Sequence, residues 1–167
     1  MKARRWLVAA LVVLLAAGVG LLLRNAAGTV RVAGVSMRDT LISGDLALVM
    51  RLDFKRDGVS RGDVVQCRFP GRENTYIKRI IGLPGDEIAF TGGKLTVNGA
   101  PVDEPYLSSP TDDYAVRLGR NEYLALGDNR AESYDSRMSD MGPIHSADIL
   151  GRVRWILFPL GRFGPVR

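Results

Sequence analysis

A serine hydroxyl is a weak nucleophile until a neighbouring base takes its proton. The usual base is histidine, and this chain has one, His145. It lies in Gly142-Pro143-Ile144-His145-Ser146, with no acidic motif beside it to orient the imidazole as a triad requires. A surface loop residue is the simpler reading. The other candidate base is a lysine, and the sequence has four: Lys2, Lys55, Lys78 and Lys94. Lys2 belongs to a basic head, Lys55 to the charged loop Asp53–Asp57, and Lys94 to a hairpin beside Gly92-Gly93. Lys78 alone lies inside an apolar extended pattern, Tyr76-Ile77-Lys78-Arg79-Ile80-Ile81.

On a strand, Tyr76, Lys78 and Ile80 share a face. An amine there loses water, and desolvation lowers a lysine pKa because it disfavours the charged form. To act as a base near neutrality the amine must fall about three units from about 10.4, about 4 kcal/mol. That demands a packed apolar site. A lysine that snorkels out of a half-buried strand fits the same pattern, so spacing alone leaves both readings open.

Two further stretches carry chemistry. Gly34-Val35-Ser36-Met37-Arg38-Asp39-Thr40-Leu41 puts a serine in a strand-to-turn context. Gly127-Asp128-Asn129-Arg130-Ala131-Glu132-Ser133-Tyr134-Asp135-Ser136-Arg137 follows the apolar strand Tyr123–Leu126 and is too polar for a core. Its carboxylates and arginines can pair bidentately. It reads as a solvated loop pinned by Asp–Arg pairs, and its hydrogen-bonding density suits a loop that orients something. No cluster has metal-ligand spacing and no Gly-rich phosphate cradle is present, so no metal or organic cofactor is expected. The single Cys67, in the run Val64–Cys67, reads as a small buried hydrophobe.

The elements that position these residues follow an N-terminal appendage. Residues 1–5 form a basic cytoplasmic head, and Trp6–Leu23 is an uncharged run of about eighteen residues. At 1.5 Å per residue this spans roughly 27 Å, enough for one transmembrane helix. It is longer than the core of a removable signal peptide and lacks a clean small-x-small exit. Lys2, Arg4 and Arg5 outweigh Arg24, which places the N-terminus in the cytoplasm and the rest outside the cell membrane, as a single-pass protein. Residues 24–29 read as a linker. Beyond it the period is two, with expected strands at Val30–Val35, Leu46–Leu52, Val64–Phe69, Thr75–Gly82, Glu87–Phe90, Lys94–Val97, Glu122–Leu126 and Gly151–Phe158. The dense turn signals predict a mostly β, antiparallel domain over 30–167, with 86–120 as a small accessory excursion. The net charge of +5 is scattered, with no Lys/Arg run. That favours an anionic membrane surface over nucleic acid.

Taken together, the motifs resemble those of type I signal peptidases, the membrane-anchored Ser-Lys proteases of bacteria, in a short, Gram-positive-like form. The family's Ser-Met-x-Pro-Thr-Leu box corresponds to Ser36–Leu41, its Arg-Gly-Asp-Val-Val strand to Arg61–Val65, its Tyr-Ile-Lys-Arg-x-x-Gly-Leu-Pro-Gly-Asp run to Tyr76–Asp86, and its Gly-Asp-Asn-x-x-x-Ser-x-Asp-Ser-Arg box to Gly127–Arg137. The resemblance implies removal of signal peptides from exported preproteins through an acyl-enzyme. It implies Ser36 as nucleophile and neutral Lys78 as general base. Ser133 would orient Lys78, Asp135 and Arg137 would brace that loop, and Asp128 and Arg130 would support it.

The implied substrates carry small residues one and three positions before the cut. Their pockets would be walled by Met37, Leu41, Tyr76, Ile77, Val30 and Val32. The bilayer and nearby translocation machinery are the other implied partners. The Ser36 backbone N–H would hold the oxyanion with a second, unidentified donor, since Gly34 stands where some members have a serine. Asp39 replaces the family's proline and is expected to point away from Lys78, capping the turn after Ser36. Alternatives are a Ser-Lys protease dedicated to one pilus or conjugation subunit, and a non-catalytic anchored scaffold. A self-cleaving repressor fits poorly, because it would carry a DNA-binding domain and no anchor.

Overall fold

The computed structural model describes residues 5–6, 11–15, 17–18, 20, 25–52 and 57–167. Most of the basic head, half of the run Trp6–Leu23, Arg24 and the loop around Lys55 lie outside these residues. Among the described residues no helix is long and apolar enough to cross a membrane.

Among the described residues, twelve strands make up the fold: β1 (Ala27–Arg31), β2 (Leu46–Met50), β3 (Val64–Cys67), β4 (Tyr76–Gly82), β5 (Glu87–Thr91), β6 (Lys94–Val97), β7 (Ala100–Val102), β8 (Tyr114–Arg117), β9 (Glu122–Leu126), β10 (Ile144–His145), β11 (Ile149–Phe158) and β12 (Gly164–Pro165). The larger sheet runs β1-β2-β11-β3-β4-β9-β10, with β12 added to β11; the smaller runs β7-β6-β5-β8. All pairings between these strands are antiparallel.

The strands with the strongest β-branched and aliphatic content fall where the period-two pattern puts them, within one or two residues. β1 departs most. It starts at Ala27, three residues before the expected strand, because the backbone of Gly28 and Thr29 pairs with Val49 and Leu48. Pairing uses main-chain groups, so residues without an apolar side chain can still be sheet. β1 ends at Arg31, and Gly34, at φ 90°, then turns the chain away. β7, β8, β10 and β12 had no expected counterpart; they are short, and two of them contain proline.

Three apolar clusters hold the sheets. One packs Val32, Met37, Leu41, Val49, Val153 and Ile156 beneath the turn after Ser36. A second, including Ile81, Phe90, Leu95 and Leu124, joins the two sheets. A third, including Val65, Cys67, Phe69 and Ile80, backs β4 from the other side. β4 therefore has packed apolar groups on both faces, which is what a lysine in its middle needs if it is to lose water.

Candidate active site

The turn carrying Ser36 closes through Arg38 N–H to Val35 O at 3.1 Å and Leu41 N–H to Met37 O at 2.7 Å. Met37 and Leu41 sink into the core beneath it and leave Ser36 half-exposed. Loss of the fully buried Leu41 side chain would cost about 2–5 kcal/mol. Asn129 holds the turn from above: its N–H donates to Ser36 O at 3.0 Å and its Nδ2 to Val35 O at 3.2 Å. The Ser108 hydroxyl donates to Arg38 O at 3.1 Å.

Lys78 is 2% exposed. Its Nζ donates to Ser133 Oγ at 3.0 Å. The Ser133 hydroxyl also helps to hold the Asp135 carboxylate ionised. Arg137 grips that carboxylate through Nε at 2.8 Å and Nη2 at 3.0 Å, and the Gly127 N–H adds a third donor at 3.0 Å. Burial alone would raise the Asp135 pKa; these donors outweigh it and hold the group below the usual carboxylate range. For Lys78 the balance runs the other way. Desolvation pulls its pKa below the ordinary lysine value, although the negative charges of Asp135 and Asp128 oppose it. Burial also pushes the neighbouring Cys67 thiol up to about 12, so it stays uncharged.

Gly127 is where the two stretches meet. A Cβ there would stand closer than 3.0 Å to both Ser133 Oγ and Ser36 O. The missing side chain lets the Ser36 turn and the Ser133 loop close on each other.

Asp128 and Arg130 lie in the same loop, but they do not pair. Asp128, fully buried, receives Arg79 Nε at 2.8 Å and Nη2 at 2.7 Å, and the Thr40 hydroxyl as well. Arg130 donates to Gly127 O at 2.9 Å and pairs with Glu104, which follows β7 in the smaller-sheet segment. That segment is therefore tied into the loop. Arg79, Asn129, Thr40 and Glu104 went unremarked in the sequence, since each acts through a partner remote in the chain.

Ser36 and Lys78 line one cleft of about 160 Å³. One wall is Val30 to Gly34, and the other is Thr75, Tyr76 and Ile77. Of the six residues expected to wall the pockets, Val30, Val32, Met37, Tyr76 and Ile77 line it, whereas Leu41 lies wholly in the core below. The Tyr76 ring is set edge-on to Phe69 at 5.3 Å. Asp39 is exposed, makes no side-chain hydrogen bond among the described residues, and is not among the charges that act most strongly on Lys78. It points outward as expected, without the capping bond. His145 sits on β10 against Asp148 and does not line the cleft.

The family model for signal peptidase, peptidase S26, matches residues 3–158. This chain belongs to the peptidase S26 signal peptidase family. It is 33% identical to a signal peptidase I of Leptolyngbya laminosa over 139 residues, covering 77% of this chain and 68% of that one. It is 36% identical to the signal peptidase I of Bacillus caldolyticus over 148 residues, covering 79% and 80% of the two chains. A solved signal peptidase I from Enterococcus faecalis V583 superposes with a TM-score of 0.52 at 27% identity, over 56% of this chain and 95% of that chain. Asp39, which stands where the motif has proline, and Gly34, two residues before Ser36, both flank Ser36 on the exposed side of its turn.

Proposed function

We propose that this chain removes signal peptides from exported preproteins as a serine endopeptidase, with Ser36 as nucleophile and uncharged Lys78 as general base. The observation that carries the reading is a buried lysine, with lowered pKa and a hydrogen bond to Ser133, on the cleft that also exposes Ser36. Ser36 Oγ attacks the carbonyl of the residue before the cut and its proton passes to Lys78 Nζ. The ammonium then gives that proton to the departing amine, leaving an acyl-enzyme. Water, deprotonated by Lys78 in the second half, releases the signal peptide. Ser133 directs the amine, and Asp135 with Arg137 fixes Ser133. The Ser36 N–H is one oxyanion donor; Gly34 offers no hydroxyl, so the second donor is a backbone group or the hole is weaker.

The substrate lies extended between the cleft walls. β1 is an edge strand, and β4 is paired to β9 only from Arg79 onward, so Tyr76–Lys78 has one free edge. Both free edges border the cleft, which suits β-strand addition. The apolar wall of Val30, Val32, Met37 and Ile77 suits small side chains one and three residues before the cut.

A single helix over 6–23, with residues 1–5 in the cytoplasm and 30–167 outside, anchors the enzyme beside the translocation machinery. In support, Leu11 to Leu15 are helical and expose their apolar side chains. Phe158, Leu160 and Phe163, 53–78% exposed, give the folded domain an apolar surface for the bilayer. The test is cleavage of a purified preprotein by the full chain in detergent micelles, read by mass. One cut after a small-x-small sequence is expected; no cleavage of any such preprotein would contradict the reading.

A further inference from the structure

The cleft is electrostatically one-sided. Among the described residues that line it, the ionisable cations are Arg31 and Lys78, and there is no carboxylate. Lys78 is driven toward its neutral form by burial, so Arg31 is the permanent charge.

Its placement follows from strand geometry. Val30 and Val32 turn toward the core cluster that contains Met37 and Ile77, and Val32 is 5% exposed. Arg31, between them, points to the opposite, solvent side. Its one side-chain hydrogen bond among the described residues is from Nη1 to Gly44 O, at 3.3 Å. The rest of the guanidinium's five donors are left for another partner.

A substrate strand laid along this wall alternates in the same way. The residues one and three before the cut face the apolar pockets. The residue between them faces the other side, where Arg31 stands.

We infer that Arg31 sets a charge preference at the second residue before the cut, favouring preproteins with Asp or Glu there and disfavouring Lys or Arg. The inference rests on the signal peptidase reading and on the extended substrate. Opposite charges on facing strand positions attract and like charges repel, which sets the Glu-to-Lys preference at about two- to tenfold at low salt. Salt near 1 M, where the screening length is about 3 Å, should flatten it.

The test uses the full chain in neutral detergent and three preproteins that differ only in having Glu, Gln or Lys two residues before the cut. The expected order of kcat/KM is Glu over Gln over Lys. Arg31→Gln should abolish the spread and Arg31→Glu should reverse it. Equal kcat/KM for the three with wild type, or the same Glu-to-Lys ratio in wild type and Arg31→Glu, overturns the inference while leaving the peptidase reading intact. Failure of wild type to cut even the Gln substrate overturns both.

Discussion

Arg79, one residue beyond Lys78, holds both oxygens of Asp128 through Nε and Nη2 at 2.8 and 2.7 Å. The same guanidinium donates to Gly62 O at 2.8 Å and Arg167 O at 2.9 Å and lies 3.9 Å from the centre of the Tyr106 ring. Asp128 also accepts the Thr40 hydroxyl. One buried ion pair thus joins the lysine strand, the Ser133 loop and the Ser36 turn. Asp128→Asn keeps the shape but leaves a buried guanidinium without its counter-charge. We expect a loss of about 3–5 kcal/mol, read as a lower midpoint in urea. An unchanged midpoint would show that the pair carries no such weight.

Gly127 is required by contact. Gly127→Ala sets a methyl against Ser133 Oγ and Ser36 O at once, so the two stretches must part. Displacement of this kind by about 1 Å can cost on the order of 100-fold in rate. The expected outcome is a fall in kcat of that order with KM changed much less. Near-wild-type kcat would mean that the loop yields without moving Ser36 or Ser133.

Lys78 links pH to both rate and stability. Its folded pKa is below its unfolded value, so between the two the unfolded chain binds more protons and stability rises with pH. The penalty is fully present below the folded pKa and is gone above the ordinary lysine value of about 10.4. Lys78→Met removes it. The variant should melt above wild type near pH 6, and the gap should close near pH 10.5. A gap independent of pH would contradict a depressed lysine. In wild type the acid limb of kcat/KM should likewise fall well below 10.4.

Asp39 is exposed and is not among the main charges on Lys78. Asp39→Pro restores the family residue, whose ring fixes φ and stiffens the turn. Preprotein cleavage should be retained or improved. A large loss of kcat/KM would show that the Asp39 carboxylate has a role of its own.

Much of the site was legible because its residues sit in contiguous stretches of unusual composition: Ser36 in a strand-to-turn, Lys78 in an apolar strand, and Ser133, Asp135 and Arg137 in a polar loop after one. The partner of Asp128 was not legible. Arg130 is two residues away in sequence, but Arg79 arrives through the register that sets it opposite Leu126. Sequence proximity gave no guide to that pairing. Strong apolar strands such as β2, β4 and β9 were legible within a residue or two, since side-chain alternation reports burial. β7 and β12 were not, since short Pro-containing strands owe their place to a neighbour's backbone. The tie from Glu104 to Arg130 was hidden for the same reason.

The central claim is that Lys78, uncharged, takes the proton of Ser36. It is tested most directly by single-turnover cleavage of one preprotein at pH 8 by wild type, Ser36→Ala, Lys78→Ala and Lys78→Arg, with folding of each checked by its melting curve. Each variant should lose about a thousandfold or more in the cleavage rate, Lys78→Arg included, because a guanidinium stays protonated and cannot act as the base. A folded Lys78→Ala or Ser36→Ala enzyme that cuts at a rate near wild type would contradict the account.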